Sequence, residues 1–105
     1  QLRQARLAPE QVQPTLRRLL DNVERLLDQH LVHGDLSAYN VLWWDERPWI
    51  IDVPQSLDAR LNPDAQRFFE RDVANLERYF RRYGVSAQGF ASRTWQRYRR
   101  GELGR

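Results

Sequence analysis

Three side chains at a distinctive spacing could do chemistry here: Asp35, Asn40 five residues on, and Asp52 twelve residues after that. They sit in LVHGDLSAYNVLWWDERPWIIDV, residues 31–53. A loop aspartate can orient a hydroxyl and accept its proton. A side-chain amide oxygen and a second carboxylate can hold a divalent cation against the phosphates of ATP. Mg²⁺ suits that donor set, because it is a hard cation that takes oxygen ligands and draws only one or two of them from protein. A lone His-Gly-Asp carries little information. Followed by an asparagine and, after a hairpin, a second aspartate, it points to phosphoryl transfer.

The neighbouring elements must bring those groups together. Residues 40–44 (Asn-Val-Leu-Trp-Trp) form a β-prone run, residues 45–48 (Asp-Glu-Arg-Pro) a turn, and residues 49–51 (Trp-Ile-Ile) a second strand. Pairing them antiparallel puts Asn40 beside the end of the partner strand, where Asp52 follows. Gly34 and Ser37 mark a loop ahead of the hairpin. Upstream, Leu16, Leu19, Leu20, Val23, Leu26 and Leu27 recur on one helical face, predicting a helix over residues 14–29 with Pro14 in its first turn. Downstream, Pro54 ends the ladder and residues 52–57 are expected to be irregular. Asn62-Pro63 reads as a cap and first-turn proline, opening a helix that runs to Tyr83 and stops at Gly84. Its apolar stripe is Ala65, Phe68, Phe69, Val73, Leu76, Phe80 and Tyr83. A last helix over residues 92–100 would bury Trp95. Residues 1–8 carry little pattern and are expected to fray or to continue a preceding element.

Composition narrows the classes. The sequence has 105 residues, enough for one small domain, and begins at Gln1, so it is expected to be a piece of a longer chain. Without cysteine it can form neither a disulfide nor a thiolate zinc site, which agrees with a cytoplasmic protein. No apolar run is long enough for a membrane helix. All 17 basic residues are arginine, and no Gly-x-Gly occurs. The glycine-rich phosphate cover and phosphate-pairing lysine of ATP-dependent kinases are therefore absent from this chain. That predicts one half of a two-lobed enzyme. Five arginines and one glutamate lie from Arg93 onward, so the net charge of +3 is concentrated at the C-terminal end.

The motifs LVHGDLSAYNVL, IIDVPQSLD and NPDAQRFFERDVANLERYF, which cover about half of the chain, closely resemble the RIO-type atypical protein kinases. The family usually reads LSEYN in the loop and DVSQ in the metal segment; Ala38 and Pro54 depart from that pattern. The family also lacks the usual activation loop and peptide-binding helices, which agrees with the nine residues between Asp52 and Asn62. The resemblance implies an α+β fold, the C-terminal lobe of a protein-kinase-like fold, mostly helical with a β-hairpin carrying the catalytic and metal-binding loops. It implies a catalytic role for Asp35, nucleotide contacts from Ser37, Asn40 and Asp52, and Mg²⁺ or Mn²⁺ held by Asn40 and Asp52. The residue matching Asp52 can itself accept phosphate in this family, so ATP hydrolysis and autophosphorylation are both implied. Expected partners are ATP, a protein acceptor or the chain itself, a separate N-terminal lobe, and a ribosome or RNA.

Other residues have competing readings. His33 is expected to be a buried scaffold histidine and not a metal ligand, since His30 and His33 have no third histidine or cysteine to complete a zinc site. Ser37 could bond phosphate or turn the loop. Asp72, at the edge of the apolar stripe, needs a partner if buried. As in kinase folds, it could accept the loop's backbone N–H groups, or it could be a solvated acid paired with a neighbouring arginine. Trp43 and Trp44 should point to opposite faces, leaving one exposed. Two rival functions are weighed against a RIO-type kinase: a small-molecule kinase of the aminoglycoside phosphotransferase or choline kinase type, and a non-catalytic RNA-binding module using the C-terminal arginines. Ser37-Ala38-Tyr39-Asn40 and Asp52-Val53-Pro54-Gln55 favour the RIO type, because small-molecule kinases more often read HPGN, then IDW or IDF.

Overall fold

The computed structural model describes residues 1–51 and 56–103. In chain order the elements are α1 (Pro9–Asp28), β1 (Leu31–Val32), β2 (Val41–Trp44), β3 (Arg47–Ile50), β4 (Leu57–Asp58), α2 (Ala65–Phe80) and α3 (Phe90–Arg99), with short 3₁₀ turns at Leu2–Gln4 and Arg81–Tyr83. The fold is α+β, with three helices around two small antiparallel ladders. None of the described helices is long and apolar enough to cross a membrane.

Helix α1 begins five residues earlier than its periodicity suggests. Pro9 takes the first-turn position, and the Gln11 side chain accepts the Ala8 N–H at 2.8 Å, closing the helix start. Pro14 therefore lies inside the helix, on its exposed side. Being in the second turn, it forfeits one bond to Glu10. The helix ends at Asp28, one residue short of its expected end, and His30 at φ 67° turns the chain away. Val12, Leu16, Leu19, Val23 and Leu27 form its buried stripe.

The core gathers Leu19 and Leu27 of α1, Val32 of β1, Val41 of β2, and Phe69, Val73, Leu76 and Phe80 of α2. Each fully buried large side chain contributes roughly 1.5–3 kcal/mol. Trp95 of α3 packs against Phe69 with ring centroids 5.7 Å apart, and Tyr98 lies 5.3 Å from Trp95. Helix α3 begins two residues before its expected start. Asn62-Pro63 proves to be a turn and not the helix cap: the Asn62 side chain accepts the Asp64 N–H at 2.8 Å, and Asp64 becomes the N-cap. At the far end, Gly84 adopts φ 76° and stops the chain after the 3₁₀ turn, as expected.

The N-terminal residues do not fray. Leu2 and Leu7 are buried, the Tyr79 hydroxyl donates to the Leu2 carbonyl at 2.9 Å, and the Leu7 N–H donates to Tyr83 Oη at 3.1 Å. The Arg3 N–H reaches the Ala38 carbonyl at 3.2 Å, so this segment also braces the loop ahead of the hairpin.

The hairpin is tighter than the sequence suggests. Its turn is only Asp45-Glu46, both at positive φ (55° and 56°), the pattern of a type I′ turn. Arg47 and Pro48 belong to β3, with Pro48 opposite Trp43. In the alternation of this ladder that pair is not hydrogen-bonded, so proline's missing N–H breaks nothing. Val41 is buried and Trp43 half-buried, whereas Leu42 and Trp44 face outward, Trp44 with 66% of its surface exposed. The second ladder is new relative to expectation. β1 pairs with β4, Leu31 opposite Asp58 and Val32 opposite Leu57.

Candidate active site

The loop from His33 to Asn40 connects β1 to β2 and lies against one face of α2. Gly34 opens it with φ 86°, a backbone region that side-chain-bearing residues disfavour, and a Cβ there would come within 3.3 Å of Leu57 Cδ1. From α2, Asp72 reaches into the loop. Its Oδ2 accepts the Gly34 N–H at 2.8 Å and its Oδ1 the Leu36 N–H at 3.0 Å. Asp72 is 1% exposed. Burial pushes its carboxyl above the usual carboxylate range, against the opposing pull of those two N–H groups and of nearby His33 and Arg71.

Two further α2 side chains complete the grip. The Arg71 guanidinium donates to the Gly34 carbonyl, and the Asn75 amide donates to the Leu36 carbonyl at 3.0 Å. Sequence reasoning found Asp72 but missed Arg71 and Asn75. The available signal was their position beside Asp72, one residue before and three after, on the same side of the helix.

Asp35 is held from the other direction. Its N–H donates to Nδ1 of the buried His33 at 3.2 Å, so the other ring nitrogen carries the proton and donates to the Ile51 carbonyl at 2.7 Å. His33 is thus the expected scaffold residue, and it ties the loop to the end of β3. The Asn40 side-chain amide donates to the Asp35 carbonyl, and the Asn40 carbonyl accepts the Ile51 N–H at 2.9 Å. Asp35 itself is exposed, and among the described residues its carboxylate has no hydrogen-bond partner. Ser37 turns the loop: its Oγ accepts the Tyr39 N–H at 3.2 Å and its carbonyl accepts the Asn40 N–H at 3.0 Å.

The structure therefore brings Asp35 and Asn40 together directly. Asp52 lies outside the described residues; Ile51, its neighbour in sequence, is the residue pinned to both Asn40 and His33. The Asn40 amide nitrogen is engaged by the Asp35 carbonyl, and Oδ1 is the hard donor of that side chain. That oxygen and a carboxylate are the hard donors a Mg²⁺ or Mn²⁺ ion takes. Among the described residues no three His, Cys, Asp or Glu side chains cluster as a metal site. His30 instead meets the Tyr98 hydroxyl at 2.8 Å.

Comparison with known proteins agrees with the motif reading. The model of the RIO domain family matches residues 1–92. The chain is 35% identical over 85 residues to serine/threonine-protein kinase RIO3 of Bos taurus, covering 80% of this chain and 16% of that protein. It is 39% identical over 85 residues to serine/threonine-protein kinase RIO1 of Caenorhabditis elegans, covering 80% and 17% respectively. It is 40% identical over 67 residues to the RIO-type serine/threonine-protein kinase Rio1 of Haloferax volcanii, covering 64% and 23%. The chain spans less than a quarter of each of these relatives. With the match running through the helix, the loop and the hairpin described above, the chain belongs to the RIO domain family.

Proposed function

We propose that this chain is the catalytic-loop lobe, the C-terminal one, of a RIO-type kinase that moves the γ-phosphoryl group of ATP to a serine or threonine hydroxyl, to itself, or to water. The observation that carries the reading is the hydrogen bond from the Asn40 side-chain amide to the Asp35 carbonyl, which joins the two residues on a loop where Asp35 is exposed and the backbone groups of Gly34, Asp35 and Leu36 are all engaged. In this mechanism Asp35 orients the acceptor oxygen in line with the γ-phosphorus and receives its proton as the bond to ADP breaks. Asn40 Oδ1 and the Asp52 carboxylate would hold a Mg²⁺ or Mn²⁺ ion, which supplies charge neutralisation across the phosphate oxygens. The Ser37 hydroxyl hydrogen is available to a phosphate oxygen, because its accepted bond from Tyr39 uses the lone pair and not the proton. Most of the acceleration on this reading comes from positioning and charge compensation.

The lobe facing the nucleotide from above would rest on the outward side of the hairpin, where Leu42, Trp44, Trp49 and Ile51 are exposed. A cytoplasmic setting accords with the cysteine-free sequence. Ribosome or RNA association through the C-terminal arginines has less support, because Arg97 pairs with Glu24 at 3.2 Å and Arg100 with Glu102 at 3.3 Å.

The test is transfer of labelled γ-phosphate by the full-length parent with Mg²⁺ present. Asp35→Ala and Asp52→Ala should each lower transfer by at least about 100-fold with folding intact by circular dichroism. Residues 1–105 alone should transfer little, lacking the glycine loop and lysine. Equal transfer by the parent and both variants would overturn the assignment.

A further inference from the structure

Beside the His33–Asn40 loop lies a groove of about 440 Å³ lined by Arg3, Ser37, Tyr39, Asn75, Arg78 and Arg82. Three of those six carry guanidinium groups, all exposed, and among the described residues none of the three forms an ion pair. Two are held in place by aromatic rings: the Arg3 guanidinium lies 4.5 Å from the centre of the Tyr39 ring, and that of Arg82 lies 4.6 Å from the centre of Tyr79. Stacking fixes each cation's position while leaving its N–H groups to a ligand. Arg3 is further fixed by its own N–H on the Ala38 carbonyl.

Gathering three cations in one concavity with no acid among its lining residues concentrates positive potential there. The groove also carries hydrogen-bonding groups that suit a carboxylate or phosphate: the fork-shaped guanidinium donors, the exposed Tyr39 and the Ser37 hydroxyl. Its position is as informative as its charge. Ser37 lines it and follows Asp35 by two residues, so the two Cα atoms are at most about 7 Å apart. An extended peptide advances roughly 3.3 Å per residue. A chain presenting a hydroxyl to Asp35 would therefore place a residue one to about four positions away over the groove.

We propose that this groove binds an acidic side chain of the protein acceptor, an aspartate, glutamate or phosphorylated residue within about four positions of the accepting hydroxyl. The proposal rests on the phosphoryl-transfer reading for its choice of occupant and gives that reading a substrate class. A peptide fits better than a nucleic acid, because the groove is one compact concavity sized for a side chain or two. Among the described C-terminal arginines, Arg97 is paired with Glu24 of α1 and Arg100 with Glu102, which weakens that end as a track for a polyanion.

The experiment is binding without ATP, read from the backbone amide resonances of Ser37, Tyr39 and Asn75 in this chain. The probes are serine peptides with aspartates at one to four positions on either side, the matched asparagine peptides, a phosphoserine version and oligouridylate. The acidic peptides should shift those resonances and the asparagine peptides should not. The double variant Arg78→Gln/Arg82→Gln, on exposed helical and 3₁₀ positions, should weaken acidic-peptide binding about tenfold. Preference for phosphoserine over aspartate would identify a pre-phosphorylated acceptor within the same proposal. Equal binding of acidic and neutral peptides, unchanged affinity in the double variant, or arginine-dependent binding of RNA in place of peptide would overturn it. Since no phosphate is transferred in this measurement, failure of the groove and failure of the catalytic assignment are read separately.

Discussion

Replacing Asp72 with alanine removes a side chain that joins helix α2 to two N–H groups of the His33–Asn40 loop at once. Both donors, the half-buried Gly34 at 2.8 Å and the buried Leu36 at 3.0 Å, would lose their acceptor. An orphaned buried donor costs about 1–3 kcal/mol, so the two together set an upper range of about 2–6 kcal/mol. Part is offset, because the variant no longer has to bury a carboxylate whose pKa burial has already raised. A net loss of about 2–4 kcal/mol is expected, a large share of the 5–15 kcal/mol typical of a domain. Urea unfolding followed by tryptophan fluorescence and far-ultraviolet dichroism gives that value. Amide exchange at Gly34 and Leu36, referred to Val73 in the same helix as Asp72, separates loop release from general destabilisation. Asp72→Asn should fall between, since its amide oxygen can serve one N–H while its NH₂ opposes the other. The pH dependence has a definite sign. The folded state holds the Asp72 proton to higher pH than the unfolded value of 3.8, so between 3.8 and the raised pKa the group's contribution to stability falls as pH rises. The difference between wild type and Asp72→Asn should carry that slope. A loss under about 1 kcal/mol in the alanine variant, with Gly34 and Leu36 exchanging no faster relative to Val73, would refute the reasoning.

Two other substitutions probe features that lie outside the expected elements. Leu2→Ala should cost about 2–4 kcal/mol, because Leu2 is fully buried against α2 and not part of a frayed end; a melting temperature within a degree of wild type would show that the N-terminal segment is not docked. Glu46→Gly should stabilise by about 1 kcal/mol, by relieving a left-handed backbone at φ 56° that glycine adopts without strain; a lower denaturation midpoint would argue against the two-residue turn.

The long helices were legible because burial leaves a periodic trace. The stripe from Ala65 to Phe80 and the leucines of α1 announce their faces, and the buried Phe69, Val73, Leu76 and Leu19 follow them. The boundaries were less so. Pro14 and Asn62-Pro63 are strong local helix-start signals, yet in the one case Pro9 with Gln11 offered an earlier start, and in the other the Asn62 side chain closed a turn on Asp64. Pro48 suggested a turn residue because proline is poor in a strand, but opposite Trp43 its lack of an N–H does no harm. The pairing of β1 with β4 left no trace at all, since two residues per strand are too few for alternation to register. Leu2 and Leu7 were missed for a similar reason: isolated leucines in an arginine- and glutamine-rich segment have no period to reveal that they dock.

At the loop, sequence reasoning singled out Asp35, Asn40 and Asp72, but not the completeness of the backbone support around them. Gly34, Asp35 and Leu36 have six backbone N–H and C=O groups between them, two each, and all six are bound by side chains: Asp72 and Arg71 for Gly34, His33 and Asn40 for Asp35, Asp72 and Asn75 for Leu36. None is spent on a helix or a ladder. A loop stripped of backbone pairing would ordinarily be mobile or hydrated. Here the grip comes from α2 on one side and from the loop's own His33 and Asn40 on the other, and His33 extends it to β3 through the Ile51 carbonyl. The consequence is that the Asp35 carboxylate can be exposed while its backbone is fixed, which positioning a hydroxyl requires. Sequence spacing places Asn40 near Asp35; only the structure shows that the same amide secures the loop through its nitrogen. Loss of Asn40 would therefore damage the loop as well as any ligand contact, so a stability measurement has to accompany every activity measurement on that residue.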